Sequence, residues 1–155
     1  MMEATKKKGT RTGFTTGACS AAAARAATLS LATGRVPEEV DCRLPNAQIV
    51  RFAVADGYCD KERAHAVVVK DAGDDPDCTD GAHLTADVYV RPGAPGAVIL
   101  KGGAGVGTVT MPGLGLEVGG PAINPVPRCN IEENVRAAGD ELLTRVGLEV
   151  VISVP

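Results

Sequence analysis

Between Thr16 and Gly34 the chain carries eight alanines and one charged residue, Arg25. A helix with so little polar surface has no wet face to offer, so other elements must enclose it on most sides. Alanine also lets neighbouring backbone come close. Thr15 or Thr16 is a good N-cap, because a hydroxyl oxygen accepts one of the free N–H groups of a first helical turn. Gly34 is a natural stop. The approach to this helix, Arg11 to Gly17, reads RTGFTTG. It gathers Arg11, Thr12, Gly13, Thr15, Thr16 and Gly17 at a helix N-terminus, whose N–H groups and dipole suit an anion. Capping explains the threonines, but not Arg11 and Gly13 beside them.

A second segment, Lys70 to His83, reads KDAGDDPDCTDGAH and follows the apolar run Ala66 to Val69. Asp71, Asp74, Asp75, Asp77 and Asp80 line it, with Lys70 at its entrance. So acidic a loop at a strand end costs charge repulsion unless it is solvated or has a cationic partner. Asp, Gly and Pro also favour turns, so a solvated turn is the plainer explanation. The calcium-loop order is absent, and Cys78 and His83 match no zinc spacing.

Alternation marks strands at Gln48 to Ala55 and Leu84 to Val90, and a short apolar strand at Ala97 to Leu100. Glycines then crowd Gly102 to Gly107. Thr108 stands where a phosphate-binding P-loop needs Lys, and Gly103, Gly105 and Gly107 give GxGxG rather than the dinucleotide fingerprint. Such a loop lets backbone approach a ligand, or makes a tight turn. Pro121, Pro125 and Pro127 predict a stiff, extended segment that presents Asn124 and Arg128. Asn130 with Glu133 predicts the cap of a second helix whose stripe is Ile131, Val135, Ala138, Leu142 and Val146, ending at Gly147. Leu148, Val150, Ile152 and Val154 alternate as a last strand. The fold class expected is α+β or mixed α/β: a mixed, largely antiparallel sheet with two main helices against it, and one parallel pairing from the final helix–strand unit.

A net charge of -3 argues against general nucleic-acid binding. No run of about 18 apolar residues appears, so no membrane span is expected. The basic start MMEATKKKGTR lacks the apolar core of a secretory signal. Residues 1–10 are expected to be a flexible basic N-terminus, and the five cysteines lack CxxC spacing, which fits free thiols and a cytoplasmic location. Cys19 lies near a helix N-terminus, but its alanine neighbours favour packing.

Four segments carry a resemblance: RTGFTTGACSAAAA, KDAGDDPDCTDG, GVGTVTMPGLG and GGPAINPVPR. In this order they resemble the CbiD family of cobalamin-biosynthesis proteins, the cobalt-precorrin-5B C1-methyltransferases. The likeness runs from about Arg11 to Pro155, as a single domain similar to the family's N-terminal one, and implies a second, C-terminal α/β domain that is absent here. It implies S-adenosyl-L-methionine (SAM) as methyl donor, a cobalt-containing tetrapyrrole as substrate, and no protein-bound metal. On this resemblance Asp71, Asp74, Asp75 and Asp77 become catalytic candidates that steady charge or relay a proton. Arg11, Lys70 and Arg128, with Thr12, Gly13, Thr15, Thr16, Gly17, Gly103, Gly105, Gly107 and Asn124, become candidates for binding the substrate's acetate and propionate arms. The chain departs from the family pattern at Ala104, Met111, Gly120 and Cys129. Two alternatives stand beside methyl transfer. One is a tetrapyrrole-binding module that needs a separate methyl-donor domain; the partners expected beside the tetrapyrrole are the missing C-terminal domain or a homo-oligomer. The other is a phosphate- or nucleotide-binding domain built on Gly102 to Gly107.

Overall fold

The computed structural model describes residues 15–71, 81–106 and 123–155. Helix α1, Thr16–Thr33, begins where the hydroxyls predict: Thr15 Oγ1 accepts from the Ala18 N–H at 3.0 Å. It ends at Gly34, whose φ of 80° is the left-handed conformation that glycine adopts without penalty. Its alanines are buried almost without exception, together with Cys19, Ser20, Thr28 and Ser30. The hydroxyls survive burial by bonding back along the helix: Ser20 donates to Thr16 O, Thr28 to Ala24 O and Ser30 to Ala26 O, each at 2.8 Å.

Strands β1, Glu39–Arg43, and β2, Ile49–Ala53, form an antiparallel hairpin that turns Val40, Cys42 and Phe52 inward. The main sheet contains β3, Asp56–Cys59; β4, Arg63–Val69; β5, His83–Arg91; β6, Val98–Gly102; and β7, Gly147–Ser153. Its order is β3-β4-β5-β7-β6, antiparallel except for the parallel pair β6–β7. That pair needs a crossover, and helix α2, Pro125–Ala138, supplies it. One sheet face, with Ala64, Ala66, Val68, Leu84, Ala86, Val88, Leu148, Val150 and Ile152, is buried in the core with the helices. The α+β class, the mostly antiparallel sheet and the single parallel pairing therefore match expectation.

The second helix does not. It starts at Asn124, not Asn130, so Pro125, Val126, Pro127 and Arg128 are helical rather than extended; Pro121 lies outside the described residues. The prolines are the reason. Pro125 stands at the first helical position and Pro127 two residues on, where missing N–H groups cost nothing because those groups have no intrahelical acceptor. The helix also ends early, at Gly139, followed by a 3₁₀ turn at Leu142–Thr144; Gly147 opens β7 instead of closing the helix. Strands β1 and β3 lie in segments that carried no strand expectation.

The two helices run side by side and parallel. A Cβ on Gly17, at the start of α1, would lie 2.8 Å from Pro127 at the start of α2. A Cβ on Gly139 would lie 2.9 Å from Thr28, further along α1. Asn134 locks this arrangement. It is 1% exposed, and its Oδ1 accepts from Arg25 Nη1 at 3.0 Å and from the Arg43 N–H at 3.1 Å. Its Nδ2 donates to Arg43 O and Asn130 O, both at 2.8 Å. One amide thus ties α2 to α1 and to β1. Asn134→Ala is expected to lower stability by about 1–3 kcal/mol, because it removes a buried amide that satisfies Arg25 and the part-buried Arg43 N–H and C=O. Glu132→Ala, which breaks only an exposed pair with Arg136, should cost under about 0.5 kcal/mol. Urea unfolding of both variants checks the contrast.

Candidate functional site

Because β4 and β7 are each antiparallel to β5, and β6 is parallel to β7, strands β4, β6 and β7 all end at one sheet edge. Both helices start at that edge. Both starts carry a partial positive charge, and parallel packing puts the two side by side; α1 also offers unpaired N–H groups, whereas in α2 Pro125 and Pro127 leave that of Val126. A cavity of about 300 Å³ opens there. Thr16, Gly17 and Ser20 line it from α1, and Asn124, Pro127 and Ile131 from α2. Gly105, Val106 and Ile123, with Ile152 and Val154 from the end of β7, complete the wall. It is apolar apart from two hydroxyls, one carboxamide and the helix backbone.

Asn124 is the N-cap of α2, yet its side chain makes no capping hydrogen bond. Its carboxamide therefore remains available at the cavity. Lys70, one residue past β4, is only 5% exposed, and its Nζ lies 3.3 Å from Thr16 Oγ1. It brings a fixed cation to the first turn of α1. Asp71 follows it at the surface, and its backbone bonds the Cys19 thiol. Gly105 has φ 76°, and a Cβ there would fall 2.0 Å from Val154 O; a Cβ on Gly103 would fall 2.2 Å from Ser153 Oγ. Glycine is required at Gly105, where the collision is with backbone, to press the loop onto the end of β7; at Gly103 the Ser153 hydroxyl would have to turn aside.

The candidates from sequence thus divide. Thr16, Gly17, Gly105 and Asn124 meet at the cavity, with Lys70 beside Thr16. Thr15 caps α1, and Arg128 lies in the first turns of α2, though neither lines the cavity among the described residues. Arg11, Thr12, Gly13, Asp74, Asp75, Asp77 and Gly107 lie outside the described residues. Ser20, Val106, Ile123, Pro127, Ile131, Ile152 and Val154 were not candidates. Ile131 and Ile152 had been placed in apolar stripes, which say that a side chain is inward but not that the inside is hollow. Ser20 lies four residues after Thr16, on the same helix face, which was the signal available. His83 opens β5 at this edge, whereas His65 sits on the outer sheet face, 2.8 Å from Asp87. Among the described residues no three potential metal ligands cluster, and no helix is long and apolar enough to cross a membrane.

An α+β domain with a cavity of about 300 Å³ over paired helix N-termini is the class this geometry defines. Comparison with known proteins gives the family. The CbiD family profile matches residues 3–155. The cobalt-precorrin-5B C(1)-methyltransferase of Polaromonas naphthalenivorans is 68% identical over all of this chain and 42% of its own length. That of Methylococcus capsulatus is 73% identical over 97% of this chain and 39% of its own. A 1.9 Å crystal structure of a cobalamin biosynthesis protein (CbiD) from Archaeoglobus fulgidus superposes with a TM-score of 0.64 at 28% identity, covering 92% of this chain and 43% of that one. This chain belongs to the CbiD family. It spans about two fifths of the length of these relatives.

Cys19 is a packing residue. Burial pushes its thiol up to about 11, outweighing the opposite pull of Lys70. Cys42 is pushed up to about 11 by the same cause. Both thiols hold their proton more tightly folded than at the ordinary value of 9.0. Their stabilising contribution is thus present below pH 9 and is lost as pH rises toward 11. The urea midpoint is expected to fall across that window, and to fall less in the Cys19→Ala, Cys42→Ala double variant.

Proposed function

We propose that this chain forms part of an S-adenosyl-L-methionine-dependent methyltransferase acting on C1 of cobalt-precorrin-5B. The carrying observation is its 68% identity, along its whole length, to a protein bearing that name. The cobalt belongs to the tetrapyrrole and is substrate. The sulfonium of the donor supplies an activated methyl group, so the protein's task is to align two molecules and keep water out.

The residues at the sheet edge fit the amino-acid end of the donor. The start of α1 and the Thr16 hydroxyl suit a carboxylate, with the dipole of α2 beside them, and Asn124 offers both a donor and an acceptor. Ile131, Ile152, Val154 and Val106 give a dry wall. Lys70 adds long-range attraction for the acid groups of the tetrapyrrole, while Gly105 keeps the loop low enough for a flat molecule to approach. At about 300 Å³ the cavity is at the small end of ligand sites, so it takes one arm of a molecule and not a macrocycle. Asp71 stands at the same edge as a candidate to receive a proton, with Asp74, Asp75 and Asp77 proposed alongside it from the sequence.

The small cavity also favours a second reading, in which this chain seats an acid arm of the tetrapyrrole and another part of the enzyme holds the donor. Calorimetric titration with S-adenosylhomocysteine separates the two. We expect one-to-one binding, weakened about tenfold in Asn124→Ala, the loss of roughly one good hydrogen bond. A folded chain of correct mass that releases no heat would assign the cavity to the tetrapyrrole.

A further inference from the structure

The two hydroxyls of the cavity are not interchangeable, because a different part of each is already engaged. Ser20 donates its proton to Thr16 O at 2.8 Å, so its oxygen can only accept. Thr16 is the reverse. An ammonium group can only donate, so at 3.3 Å Lys70 Nζ occupies a lone pair of Thr16 Oγ1. The Thr16 proton has no acceptor among the described residues, and the side chain lines the cavity. Thr28 and Ser30 of the same helix differ, since both donate to carbonyls one turn back. Lys70 is 5% exposed and is not itself part of the cavity wall. The sheet holds its backbone: its N–H donates to Ala82 O and its carbonyl accepts from the Gly81 N–H, both at 2.8 Å. The ammonium therefore reaches α1 from a fixed base and meets a ligand through Thr16 rather than by contact.

We infer that Lys70 is a positioning residue: it makes the Thr16 hydroxyl a committed donor, and the cavity thereby selects an ionised carboxylate over its neutral amide. A hydroxyl that accepts from a cation donates more strongly, since hydrogen bonds in a chain polarise one another. A carboxylate offers acceptors alone and meets that proton with a charge-assisted bond. An amide presents a weaker acceptor on one side, and on the other an NH₂ group that can only donate. The inference rests on the reading of this cavity as a binding site. It does not depend on which ligand enters, because the methyl donor and the tetrapyrrole both carry carboxylates. Long-range attraction by a nearby cation would not need Thr16, and that difference can be measured.

The quantity to measure is the ratio of acid to amide affinity, by calorimetry on this 155-residue protein with two pairs of probes. One pair is S-adenosylhomocysteine and its carboxamide. The other is uroporphyrin, a tetrapyrrole with acetate and propionate arms, and its fully amidated form. At least one pair should show a preference of about tenfold for the acid, and the pair that shows it identifies the ligand. Lys70→Met and Thr16→Val should each reduce that preference to about twofold, and the double variant should go no lower. Thr16→Ser, which keeps the hydroxyl, should retain it. A merely structural loss would weaken acid and amide alike and leave the ratio unchanged. Lys70→Gln serves if the Met variant fails to fold. Three results would overturn the inference: no acid preference for either pair, a preference that survives Thr16→Val but not Lys70→Met, or losses that add in the double variant. If S-adenosylhomocysteine gives no heat while uroporphyrin is discriminated from its amide, the donor reading fails and this inference stands. If S-adenosylhomocysteine binds no better than its amide and uroporphyrin is not discriminated, the donor reading stands and this inference fails.

Discussion

Everything in this fold follows from how close other backbone comes to α1. A helix of alanines carries no side chains long enough to reach across a gap, so its burial is achieved by approach: β4 and β5 on one side, α2 on another. Gly17 and Gly139 extend that logic to the contact with α2, where a methyl group at either position would collide. Such tight packing leaves little room for adjustment, because interiors are already near crystal density. It also explains the hydroxyl pattern. Thr28 and Ser30 are small enough to sit in the contact and satisfy themselves on their own helix.

Close approach sets direction as well as distance. Since Gly17 faces Pro127 and Gly139 faces Thr28, the helices lie parallel and their positive ends share one edge. Parallel dipoles repel modestly, by an amount comparable to the few tenths to one kcal/mol that a charge gains at a helix end. An anion between the two ends turns that cost into attraction. Lys70, buried against Thr16 at the same edge, works in the same direction. A region that concentrates positive potential while remaining mostly apolar is suited to the acid group of an otherwise greasy molecule. The binding role proposed for this edge thus rests on the packing constraint itself, before any catalytic residue is considered.

What the sequence disclosed depends on range. The cap at Thr15, the stop at Gly34, and the alternation in β5 and β7 are local properties, and local rules found them. Strands β1 and β3 were missed because their alternation is short: β1 buries only Val40 and Cys42, and β3 contributes half-buried Gly57 and Cys59 at a sheet edge. The candidate site was partly legible. Thr16, Gly17, Lys70, Gly105 and Asn124 carry special chemistry and stood out by type. The apolar lining did not, since Ile152 in a hollow looks no different in sequence from Ile152 in a core. Asn134 was overlooked for a related reason: its partners Arg25 and Arg43 are 109 and 91 residues away.

The misplaced start of α2 shows how one local rule can displace another with functional effect. Asn130 followed by Glu133 satisfies the capping-box pattern, and three nearby prolines argue for extended chain. Both arguments fail for one reason: a helix tolerates proline in its first turn, so Asn124 caps and Pro125 and Pro127 are already inside. The six-residue shift exchanges the duties of two asparagines. Asn124 becomes a cap whose side chain is left for the cavity. Asn130, deprived of a capping role, is carried into the second turn and buried with an Nδ2 that no described residue satisfies. The same shift that frees Asn124 for the cavity thus leaves a buried amide only partly used on the other side of α2.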